Sequence, residues 1–166
     1  MANCCYYEIH AKGPKRNVLA LGCMFADYNG DKKVMLAKGD EDSFELWFKG
    51  DCKGELDAYC KEDPDIIYEP FEDDDIDDDD LESCFYEFFD EECCRIPMRQ
   101  KSEILKVEII ALSVDEGEGF INIDHYNKGK KIASVNILEE QVSTDLLKEF
   151  DLDPENIAES VWERMD

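Results

Sequence analysis

The stretch EDPDIIYEPFEDDDIDDDDLESCFYEFFDEE, residues 62–92, limits what this chain can fold into more than any other part of it. Seventeen of its thirty-one residues are Asp or Glu, and none is Lys or Arg. It carries −17 of the formal net charge of −25, against −1 for the residues before it and −7 for those after it. Carboxylates this dense repel one another and oppose compaction, so something must offset the cost, and a positively charged partner would do so. The stretch is not a plain solvated tail. Ile66, Ile67, Tyr68, Phe71, Phe85, Tyr86, Phe88 and Phe89 are interleaved with the acids, and a tail would lack them. Order is expected over much of it, with 73–80 as its mobile part.

The remainder bounds the class. A chain of 166 residues, 43% apolar, is long enough for one packed domain or one domain with a small appendage. The opening MANCCYYEIH has no basic region followed by an apolar run. No apolar stretch reaches the ~18 residues that a membrane span needs. A cytoplasmic protein is therefore expected, with its eight cysteines reduced and acting as small buried hydrophobes. No CxxC occurs. The adjacent pairs Cys4-Cys5 and Cys93-Cys94 point to opposite faces of a strand, which is poor geometry for zinc. No metal or other cofactor is expected.

Periodicity and turn signals give an α+β order. Residues 3–12 read as a strand ended by Gly13-Pro14. Pro14 then suits the first turn of a helix whose buried side is Val18, Leu19, Leu21, Cys23, Met24 and Phe25. The turn 27–31 resembles the start of a calcium loop, but the sixth position is Lys32 and the twelfth Lys38, where calcium needs Gly and Glu. Strands are expected at 33–38 and 43–49, the latter with Phe44, Leu46 and Phe48 on one face and Trp47 on the other. A turn at 50–54 leads to a helix at 55–61. Asp80 suits the N-cap of a helix over 81–94 with Leu81, Phe85, Phe88 and Phe89 on its apolar side, and Pro97 ends it. Residues 104–114 are too apolar for an edge strand. Residues 120–126 and 131–138 form a hairpin about 127–130. Ser143 or Thr144 caps a short helix to 150, and Asp153-Pro154-Glu155 starts a last one through Met165.

Three segments resemble a known family. MANCCYYEIHAKGPK is similar to the start of YubB-like proteins, small ferredoxin-fold domains of conjugative plasmids, phages and genomic islands. FELWFKGDCKGELDAYC resembles their central strand and turn, and ALSVDEGEGFINIDHYNKG their Glu- and Gly-bearing hairpin. The resemblance extends over about half of the chain. Lys53-Gly54-Glu55 stands where the family has an aromatic, and 62–92 and 139–166 have no counterpart in it. The resemblance implies a ferredoxin-like antiparallel sheet with helices on one face, here over residues 1–138 with an acidic insertion at 62–92. Residues 139–166 form a helical C-terminal extension. It implies no iron–sulfur cluster and no catalytic residues, but it does imply a mobile-element setting.

Enzyme chemistry finds little support. GxSxG, HExxH, P-loop and GxGxxG patterns are absent. The two histidines are His10 and His125, and a Cys–His nucleophile pair such as Cys52 with His125 is conceivable, although eight cysteines make chance pairings easy to imagine. Direct nucleic-acid binding is disfavoured by the net charge and the lack of a basic stripe. The same charge favours the reverse role. Duplex DNA presents one charge per ~1.7 Å of axis, and a row of carboxylates can occupy a groove built for it. The expected binding residues are Asp73, Asp74, Asp75, Asp77, Asp78, Asp79 and Asp80, with Glu82, Glu87, Asp90 and Glu91. The expected partner is a basic host protein of the CRISPR-effector or restriction-nuclease type. The competing reading is an interaction module whose acidic stretch is only a solvated segment.

Overall fold

The computed structural model describes residues 4–25, 32–53, 56–57, 60–66, 95–115, 119–140 and 142–165. In chain order the elements are β1 (Cys4–Gly13), α1 (Lys15–Cys23), β2 (Lys33–Gly39), β3 (Phe44–Lys53), α2 (Met98–Leu105), β4 (Glu108–Asp115), β5 (Phe120–Asn127), β6 (Lys130–Asn136), α3 (Thr144–Glu149) and α4 (Ile157–Arg164). The strands form an open six-stranded sheet in the order β2-β3-β1-β4-β5-β6, and every pairing is antiparallel.

Alternation along the central strands divides the core between two faces. Ile9 of β1 sits opposite Phe48 and Ala111, and Ala11 opposite Leu46 and Ile109. These side chains join Tyr7, Val18, Leu19, Leu21, Met24, Phe25, Met98 and Leu105 in one buried cluster under α1 and α2. The alternate residues Tyr6, Ile110, Leu112, Val114, Ile121 and Ile123 form a second cluster with Leu147, Phe150, Leu152 and Val161 of the C-terminal segment. The C-terminal helices, expected as an extension, thus cover the opposite face of the sheet. The interior place of β4 agrees with the apolar character of its sequence.

A buried ion pair fastens that second layer. Glu8 is wholly buried, and Arg164 Nε lies 2.8 Å from its Oε2 while Nη2 donates to Oε1 at 3.1 Å. The Tyr6 hydroxyl and Trp47 Nε1 donate to the same carboxylate at 2.8 and 3.0 Å. A buried charge is tolerated when it is paired and its remaining lone pairs are filled, and Glu8 meets both conditions.

Several boundaries differ from the sequence expectation. Residues 104 and 105 end α2 instead of opening a strand, because Lys106 takes a left-handed conformation (φ 54°) that stops the helix before β4 starts at Glu108. Pro97 precedes a helix, as the N-cap of α2. Residues 50–53 are not a turn but continue β3, paired with Cys4, Cys5, Tyr6 and Tyr7. Gly50 serves close approach: a Cβ there would meet Tyr7 Oη at 2.6 Å. Helix α4 starts at Ile157 because the Asp153 carboxylate takes the Glu155 N–H at 2.9 Å and holds 153–155 as a turn. Lys32, at the sixth position of the calcium-like stretch, is buried and donates its Nζ to the Gly22 carbonyl at 2.9 Å. Leu56 and Asp57 lie in a turn, the rest of the expected 55–61 helix being partly undescribed, and the expected 81–94 helix lies outside the described residues.

Candidate functional site

The residues expected to meet a partner, from Asp73 to Asp80 and Glu82, Glu87, Asp90 and Glu91, lie outside the described residues. The root of their segment is described, and it is tightly tied. The Lys61 N–H donates to the Arg95 carbonyl at 2.8 Å. The Asp63 N–H donates to Gln100 Oε1 at 2.9 Å, and Gln100 Nε2 returns a bond to the Asp63 carbonyl. Arg99 pairs with Glu62 and, at 2.8 Å, with Glu103 one turn along α2. Its guanidinium is held above its usual range by the bonds from Glu62 and Glu103. The passage into the segment is therefore held on α2 through Glu62 and Asp63, and Lys61 beside them is bonded to Arg95 where the described chain resumes. Residues 67–94 carry fourteen Asp or Glu and no Lys or Arg, whereas the described residues hold all eighteen Lys and Arg and twenty-three of the forty-three acids. The frame is close to balanced, and the excess negative charge belongs mostly to the segment rooted here.

Beside that root lies a polar cleft of about 370 Å³. It arises because β4, β5 and β6 turn polar side chains toward the face that carries α2. Ser113, Asn122, Asp124, Ser134 and Asn136 line its floor, and Leu56, Asp57, Met98, Phe120 and Tyr126 are among its walls. Asn122 and Asp124 are the polar half of the FINIDHY alternation, which reads as the wet side of a half-buried strand. Asp57 Oδ1 accepts the Met98 N–H at 3.1 Å at the start of α2. Asp124 Oδ1 accepts the Ser134 hydroxyl at 2.6 Å. Burial raises the pKa of Asp57, with the Met98 N–H and Lys101 opposing it and the Asp124 charge adding to it. Burial likewise raises Asp124 against the pull of Ser134 and Lys131. Tyr126 is pushed up to about 12 by burial and by both carboxylates. Sequence reasoning missed this cleft, because Asp57 and Asp124 are 67 positions apart and only the docking of α2 brings them together.

The structure separates Cys52 from His125. Cys52 packs against the α1–α2 cluster, with Cys5 directly across from it. His125 stands on the other face, opposite Ile110, with Nε2 2.9 Å from Glu108 Oε1. The Cys52 thiol is driven far above its ordinary value by its hydrogen bond with Cys5 and by burial, so it is not a ready thiolate. His10 is buried and stacked on Trp47, ring centroids 5.8 Å apart. Its Nε2 meets Glu45, and Nδ1 lies 2.9 Å from Glu149 Oε2 of α3. Burial raises Glu45, but His10 and Lys38 outweigh that and hold it below the usual carboxylate range. Lys12 Nζ of β1, 3.2 Å from Glu149 Oε1, ties α3 to the sheet beside this cluster. Among the described residues, no group of three or more His, Cys, Asp or Glu is placed to hold a metal ion, and no helix is long and apolar enough to cross a membrane. Comparisons with family models, curated proteins and solved structures returned no match.

Proposed function

We propose that this chain is a non-enzymatic, cytoplasmic inhibitor carried by a mobile genetic element, and that it acts by offering its acidic segment to the nucleic-acid-binding surface of a basic host protein. A restriction nuclease or a CRISPR effector is the kind of partner with such a surface. The observation that carries the reading is the closed root. The Lys61–Arg95 bond of 2.8 Å closes the span 61–95, and that span contains seventeen carboxylates, fourteen of them between Ile66 and Arg95. Negative charge is therefore delivered from one place on a near-neutral frame. Concentrated charge of one sign speeds encounter with a cleft of the other sign, and salt screens it.

The frame itself we read as a ferredoxin-like unit of the YubB-like kind, enlarged by β5, β6 and the C-terminal helices. Support comes from the order β2-β3-β1-β4 with α1 between β1 and β2 and α2 between β3 and β4. In that reading the acidic segment is an insertion in the connection from β3 to α2. Such a connection lies at the surface and tolerates insertions.

The test is affinity capture of candidate restriction nucleases and CRISPR effectors at about 0.05 M and about 0.5 M salt, with duplex DNA as competitor. The expected result is capture at low salt that DNA displaces and high salt abolishes, together with inhibition of the nuclease. Changing Asp73, Asp74, Asp75, Asp77, Asp78, Asp79 and Asp80 to Asn, with Glu82, Glu87, Asp90 and Glu91 changed to Gln or Asn, is expected to remove both effects. Capture and inhibition that survive neutralisation would refute the acidic mechanism and leave the segment as a solvating one.

A further inference from the structure

We propose that the cleft between α2 and the β4–β6 floor is a binding site for an organic cation with N–H donors, either a guanidinium or a primary ammonium group. The size fits: about 370 Å³ lies within the ~300–1,000 Å³ typical of small-ligand sites. The lining chemistry is one-sided. Asp57, Asp124 and Glu140 are there, and no Lys, Arg or His is among the described lining residues. Lys101 and Lys131 act on Asp57 and Asp124 from nearby, but neither lines the cleft. Asn122, Asn136 and Ser113 add neutral oxygen acceptors. Tyr126 and Phe120 offer aromatic surface of the kind that favours cations.

Metal binding is the weaker fit, because no three acidic groups among the described residues converge at ligating geometry. A planar guanidinium or a rotating ammonium needs no such convergence, since its donors spread over several acceptors. The two internal bonds leave room for this. Asp57 spends Oδ1 on the Met98 N–H and Asp124 spends Oδ1 on the Ser134 hydroxyl, and a carboxylate has capacity for further donors. The cation could be a free small molecule or the arginine or lysine side chain of a protein that docks at the acidic root close by. The chemistry of recognition is the same in both cases.

The experiment uses the full chain, with backbone amide NMR following titration by methylguanidinium, by n-propylammonium, by a doubly blocked Gly-Arg-Gly peptide and by N-methylurea, a neutral analogue of the first. Saturable shifts of Ser113, Asn122, Asp124 and Ser134 amides are expected with the cations and not with N-methylurea. A response to the blocked peptide assigns the site to a protein side chain, and a response to the small cations alone assigns it to a free ligand. Asp124→Asn keeps an acceptor for Ser134 while removing the charge, and is expected to weaken binding about tenfold or more. Should that variant fold poorly, wild-type binding measured from pH 7 downward replaces it, and affinity is expected to fall as the carboxylates protonate. Equal response to N-methylurea, no saturable response, or affinity unchanged by both Asp124→Asn and pH would overturn the proposal. The acidic-segment variant described above is expected to keep cleft binding, so the two readings fail separately.

Discussion

Glu8 is the residue on which most of the second layer depends, and its four donors come from β1, β3 and α4. Arg164→Ala leaves a wholly buried carboxylate without its cation, a change that costs on the order of 3–5 kcal/mol. A urea titration is expected to register a loss of that size, and pairing Arg164→Met with Glu8→Gln to recover part of it. Asp124 has the opposite character, because its burial penalises the charged form. Below the ordinary carboxylate range both folded and unfolded chains are protonated, and no penalty exists. As pH rises from the ordinary carboxylate value toward the raised one, the unfolded chain ionises first and stability falls, levelling off above the raised value. Asp124→Asn is therefore expected to raise Tm at pH 7 and to match the wild type at about pH 3. Calorimetry at the two pH values checks it. None of these partnerships was legible beforehand, since Glu8 reads as one more polar residue in a strand and Arg164 as one more in a helix.

At the level of elements, period and punctuation served well. The strands at 33–38, 120–126 and 131–138 and the helix after Pro14 stand within one or two residues of where their patterns put them. The errors have physical sources. MRQKSEIL buries Met98, Lys101, Ser102 and Leu105 at helical spacing, but its two basic residues and the β-prone run that follows hid the helix. Gly50 looked like a turn because glycine usually marks one, whereas here the Tyr7 ring lies over it. The C-terminal helices are present as the sequence led one to expect, and they supply Leu147, Phe150, Leu152 and Val161 to the second core. Ending the chain at residue 140 would bare Ile110, Leu112, Val114, Ile121 and Ile123 to water. Such a fragment is expected to lose its cooperative thermal transition and to bind a hydrophobic dye, where a dispensable tail would leave both unchanged.

For the whole molecule, the decisive fact is the division of charge. Every lysine and arginine belongs to the described frame, which is short of neutrality by five charges out of the total of −25. That division was plain from the sequence, but the site it implies was not, because a run of acids names no geometry. The cleft at its root was hidden for another reason: it joins a residue of the β3–α2 connection to one of the β5–β6 hairpin, and no local pattern links them.

The bond from Lys61 to Arg95 has one more effect. It joins the stem that enters the segment, itself held on α2 through Glu62 and Asp63, to the stem that leaves it at Arg95. Cutting out 67–94 and splicing in a few glycines would shorten the closed span about fourfold, a difference that for a flexible chain corresponds to ~1.2 kcal/mol of closure entropy. The scaffold could then accept a foreign cassette of different length or sign at that position, much as a handle takes interchangeable blades.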